Sequence, residues 1–129
     1  MLSVATIDSS VRLNGALLLQ TDLSIDTDPD DTDDGTGGDV VFTNDTPVDS
    51  RDGSVNAITA TTAERNSLLI DAGGASVLFN EDMGNVQSLG SLTIHQADTR
   101  VVFGQADLEF DDTGGTGPVN VISADAGIN

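Results

Sequence analysis

The chain has 129 residues, the length of one ordinary domain, and its 22 acidic residues against four Arg and no Lys leave a formal charge of -18. That balance speaks against nucleic acid as a partner, because a phosphate backbone is held by a basic stripe, and Arg12, Arg51, Arg65 and Arg100 are scattered. The absence of cysteine excludes a disulfide framework, a thiolate metal centre and a cysteine nucleophile together.

The acids are Asp apart from Glu64, Glu81 and Glu109. A surface adapted to salt would use Glu as freely, whereas Asp on short turns suits the binding of hard cations. Large core residues are scarce: four Phe and no Trp or Tyr, so a core must come from Val, Ile, Leu and Ala. Small and β-branched side chains suit stacked strands. Met1 is followed by neither a basic segment nor a long apolar run, so no leader and no membrane insertion are read. The apolar start at Leu2 and Ile128 beside the end, without polar caps, fit a piece of a secreted parent chain.

Along the chain, residues 3–25 alternate at Val11 and Leu13, at Leu17 and Leu19, and at Leu23 and Ile25, the period of strands. Asn14-Gly15 marks a turn between the first two runs. An acidic stretch over residues 26–39 ends in Gly35, Gly37 and Gly38, and Val40-Val41-Phe42 reads as a short strand. A polar bend around Pro47 is expected over residues 43–49. Residues 50–66 fit a strand better than a marginal helix, given Ile58 and the Thr pairs. Phe42 and Ile70 are 28 residues apart, against 15 from Phe79 to Ile94, so residues 43–66 hold about 13 extra residues, a longer lateral loop. Leu68-Leu69-Ile70 and Val77-Leu78-Phe79 then recur 24 residues later as Leu92-Thr93-Ile94 and Val101-Val102-Phe103, and a fourth Ile arrives at Ile122.

Twenty-four residues is a solenoid period. Both copies set Ile and Phe nine residues apart, while Ile25 and Phe42 are 17 apart, an excess of eight that equals the stretch from Asp28 to Gly35. The reading is a single all-β domain over residues 1–129, a parallel β-helix (β-solenoid) of about five rungs with an acidic insertion at 26–39. Ile70 would lie over Ile94 and Phe79 over Phe103. The alternative is an antiparallel β-sandwich, in which similar short strands recur with turns every 8 to 12 residues or so.

The cadence Gly73-Gly74, Val77-Leu78-Phe79-Asn80, Gly84, then Ser88-Leu89-Gly90-Ser91-Leu92-Thr93-Ile94 resembles the repeats of large bacterial surface proteins, the haemagglutinin-like and autotransporter-like adhesins. The resemblance runs over residues 68–122 and more loosely over 11–42. It implies a right-handed coil and an extracellular stalk, filament or adhesive segment.

The candidate metal ligands are Asp26, Asp28, Asp30, Asp31, Asp33, Asp34 and Asp39, since calcium takes six to eight hard oxygens from such loops. The stretch is not an EF-hand: counted from Asp30, the twelfth position is Val41 where a bidentate Glu is required. The competing reading is a solvated acidic loop. Asp107, Glu109, Asp111 and Asp112 alternate with Leu108 and Phe110, the pattern of a wet strand face or, beside Arg100, of an acid and base pair in a polysaccharide-active β-helix enzyme. His95, the one histidine, alternates out of phase with Ile94 and belongs on the solvated face. Gly35, Gly37 and Gly38 make no phosphate loop, because no Lys follows. The leading expectation is therefore a non-catalytic structural or adhesive segment that associates with itself or with a surface ligand. A calcium-ordered module and a polysaccharide-active enzyme stand as alternatives.

Overall fold

The structure, a computed structural model, describes residues 1–29, 35–43, 46, 48–50, 65–84 and 89–104, with the backbone of 119–121. Among the described residues there are strands and no helix. Sheet A runs β1 (Leu2–Ala5), β4 (Leu23–Asp26), β7 (Leu68–Asp71), β9 (Leu92–Gln96) and β11 (Val119–Val121) in that spatial order. Sheet B runs β2 (Val11–Leu13), β5 (Val40–Phe42), β8 (Ser76–Phe79) and β10 (Arg100–Val102). Sheet C pairs β3 (Leu17–Leu19) with β6 (Val48–Ser50), and a bridge from Val48 to Met83 extends it.

Every pairing is parallel. Parallel neighbours need a crossover, usually a helix; here the crossover from one strand of sheet A to the next runs through sheets B and C. The chain thus forms successive tiers: β1, β2, β3; then β4, β5, β6; then β7, β8 and Met83; then β9 and β10. Such an order is compatible with a β-solenoid and leaves no place among the described residues for the antiparallel sandwich.

Equivalent side chains stack. Ile25, Ile70 and Ile94 are register partners across β4, β7 and β9, and Phe42 pairs with Phe79. The rings of Phe42 and Phe79 stack with centroids 4.9 Å apart, and those of Phe79 and Phe103 at 5.2 Å. All three sheets turn their inner residues into one core, with Phe42, Phe79, Ile70 and Ile94 fully buried.

Three details differ from the sequence reading. Val48–Ser50 is a strand where a polar bend is expected, because Val48 and Ser50 both point inward around a half-buried Asp49 and one such alternation is too short to register as a pattern. Val121, not Ile122, pairs with Ile94. At Ile70/Asp71 the register slips so that Asp71 faces Gln96, leaving His95 as an extra residue in β9, a bulge of a kind rare in parallel pairs.

Polar side chains close the turns between sheets. Thr46, fully buried, donates its hydroxyl to the Leu13 carbonyl at 2.6 Å and accepts the Gly15 amide at 3.1 Å. Asn66 donates its side-chain amide to the Leu19 carbonyl at 2.8 Å, and Asp22 accepts the Ser67 amide at 2.7 Å. Backbone groups at these bends thereby find partners in an adjacent tier.

Candidate functional site

The acidic insertion leaves the tiers between β4 and β5. Its base is pinched by Thr27, whose buried hydroxyl donates to the Gly38 carbonyl at 2.7 Å and accepts the Gly38 amide at 3.1 Å. In the next tier the same place is a tight turn in which the Ala75 amide donates to the Ala72 carbonyl at 2.9 Å. The register Val40 to Val77 makes Gly38 and Ala75 equivalent, so eight extra residues are accommodated between Thr27 and Gly38 without disturbing the strands on either side.

The returning limb lies on the turn below it. Gly74 donates its amide to the Thr36 carbonyl, and a Cβ on Gly37, which has φ of 126°, would strike the Ala72 carbonyl. A Cβ on Gly38 would strike the Ser9 carbonyl in the tier above. Glycine at these positions is a consequence of close backbone approach between tiers rather than of ligand binding.

Of the seven candidate metal ligands, Asp26, Asp28 and Asp39 are described, and Asp30, Asp31, Asp33 and Asp34 lie outside the described residues. Asp26, half-buried at the end of β4, accepts the Asp28 amide at 3.0 Å. Asp71, its register partner, accepts the Gly73 amide at 3.1 Å in the same way. These two acids build the turns that leave sheet A, a role the pattern of an acid two residues before the turn could have signalled. Asp28 is buried at 4% exposure, packed where Gly73 leaves room for it. Asp39 is exposed, and one carboxylate oxygen accepts the Ser76 amide at 3.0 Å, tying β5 to β8. The structure therefore brings Asp26 and Asp28 together at the neck and gives Asp39 a partner in the following tier. Among the described residues no group of three or more Asp, Glu, His or Cys converges as a metal cluster.

His95 stands on the outer face, 4.0 Å from the Asp71 carboxylate, as its alternation with Ile94 requires. Asp107, Glu109, Asp111 and Asp112 lie outside the described residues, as do 51–64 of the lateral loop.

The first tier, whose apolar start at Leu2 is plain in the sequence, carries most of the exposed apolar side chains among the described residues. Six large hydrophobic residues are exposed among the described residues, and five of them, Met1, Leu2, Val4, Ile7 and Leu18, belong to this tier. Leu2, Leu17, Leu18, Leu19 and Leu23 line a cavity of about 240 Å³ there, with Gln20 and Thr21 beside them. The leucine run 17–19 was its signal. No helix among the described residues is long and apolar enough to cross a membrane. In comparison with known proteins, the chain matches no family model, no curated protein and no solved structure.

Proposed function

We propose that the chain is a right-handed parallel β-solenoid that serves as a structural or adhesive segment of an extracellular bacterial surface or filament protein. The observation that carries the reading is the in-register stacking of equivalent residues, Ile25 on Ile70 on Ile94 and Phe42 on Phe79 on Phe103. A fold that adds length by repeating one tier is suited to extension and to presenting long side faces. The handedness and the extracellular setting follow from the resemblance to adhesin repeats. In this role the segment is non-catalytic, and its partners are copies of itself or a ligand on another surface. Antibodies raised against the purified chain should label intact source cells; labelling that appears only after permeabilisation would overturn the surface assignment.

A second reading is supported by the pinched base of the insertion. Thr27 and Gly38 hold the two ends of residues 28–37 together, with Asp26 and Asp28 at the neck, and the sequence between those ends carries Asp30, Asp31, Asp33 and Asp34. Calcium would relieve the repulsion among them, with affinity on the order of 10⁻⁴ M, as in extracellular modules. Calorimetric titration should show calcium uptake by the whole chain and none after deletion of residues 29–36; equal uptake by both would place the ion elsewhere.

A further inference from the structure

We propose that the outer face of sheet B is a two-fold contact between copies of this chain, with β8 of one copy facing β8 of the other. The inference rests on the solenoid reading and adds to it the face that associates and the symmetry of the contact. In β5, β8 and β10 the residues that alternate with the buried core positions are Val41, Leu78 and Val102, which therefore point outward. They are register partners, so they form one aliphatic column, half-buried at each step, on the outside of three successive tiers.

A second column runs beside it. Asp39 precedes Val40, Ser76 precedes Val77 and Arg100 precedes Val101, so the three stand in register in consecutive tiers. One Asp39 oxygen accepts the Ser76 amide at 3.0 Å, which fixes the carboxylate beside this face. Asp39 and Arg100 are exposed on either side of the buried Ser76. Each stands one tier from Leu78, about 4.8 Å along the coil in opposite directions.

Charge selects the occupant. The chain as a whole carries -18, and the outer face of sheet A bears Asp26 and Asp71. Among the described strands, those of sheet B alone carry Arg, at Arg12 on β2 and Arg100 on β10. This is the side on which a second acidic body meets least repulsion. The pattern is also its own complement. A two-fold axis along β8 sets Leu78 against Leu78 of the second copy, and twice over it sets Val41 against Val102 and Asp39 against Arg100. With the axis along the coil instead, Arg12 would oppose Arg12, and neither Asp39 nor Arg100 would meet an opposite charge. The two coils of the pair therefore run antiparallel.

Three tiers make a small contact, so pairing belongs to concentrated solution. Sedimentation equilibrium over a concentration series should give a mass rising from 13.2 kDa toward twice that value. L78D places two carboxylates on the axis, and R100D sets Asp against Asp39 of the second copy. Both should hold the mass at one copy with an unchanged circular dichroism spectrum. The charge-swapped double variant, D39R with R100D, restores both opposite-charge pairs and should associate again. A wild-type mass of one copy throughout, growth beyond two copies, an L78D chain that still pairs, or a folded charge-swapped chain that does not pair would each overturn the proposal. The solenoid reading is checked separately within one copy by S24C with L69C, register partners on β4 and β7, in a chain with no native cysteine. That internal disulfide, formed in a chain that stays single at every concentration, would sink the pairing and leave the solenoid intact.

Discussion

Thr27 shows how much depends on one hydroxyl. It is fully buried, and both its donor and its acceptor capacity serve Gly38, so replacing it with Val keeps the shape and strands two backbone groups at the mouth of the insertion. A buried donor or acceptor left without a partner costs about 1–3 kcal/mol. We expect Thr27→Val to lower the unfolding free energy by roughly 2 kcal/mol in urea titration. A change too small to measure would mean that the pinch is not held this way. Thr6, its equivalent in the first tier, makes the matching bond to the Ser9 carbonyl at an exposed site, where water competes and the same substitution matters less. None of this was legible in the sequence, because Thr27 reads as one more polar residue in an acidic stretch and its partner lies 11 residues on.

Among the elements, the insertion is the instructive one. Its length was readable: the excess of eight residues between Ile25 and Phe42 is the excess found between Thr27 and Gly38 when set against Ala72 and Ala75. Removing residues 29–36 should leave Thr27-Asp28-Gly37-Gly38 to close the bend as Ala72-Gly73-Gly74-Ala75 does. The deletion is therefore the control that separates loss of calcium uptake from loss of fold, since the shortened chain should keep its strand spectrum. The strands were legible where an apolar triplet repeats, as in Leu68–Asp71, Ser76–Phe79 and Leu92–Gln96. They were not legible where pairing supplies what the pattern lacks. Val48–Ser50 is held by Leu17–Leu19 above it and Met83 below it, and neither neighbour is near it in sequence.

For the molecule as a whole, charge and packing act in opposite directions. One core of aliphatic columns and stacked Phe rings holds the tiers, while a net charge of -18 pushes them apart. Salt shortens the range of that repulsion from about 30 Å at 0.01 M to about 3 Å at 1 M. Thermal melts should therefore shift upward by about 5 °C across this range of sodium chloride. A melting temperature that does not respond would mean the acids are already neutralised by their contacts. The charge itself was plain from composition. Its distribution, nearly absent from the tier of β1, β2 and β3, became legible only once the topology set those strands together.

The bulge at His95 bears on how such a chain can change in length. β9 holds one residue more than β7 before Gln96 comes opposite Asp71, yet Val101 still meets Val77 and Phe103 still lies on Phe79. The bend that follows must therefore be one residue shorter, five steps from Gln96 to Val101 against six from Asp71 to Val77. Gain and loss cancel within a single tier, much as two opposite frameshifts restore a reading frame. Residues can thus be gained or lost in pairs of opposite sign inside a tier, or as a pinched excursion like that after Thr27, but a lone unmatched change would slide every later side chain to the wrong face.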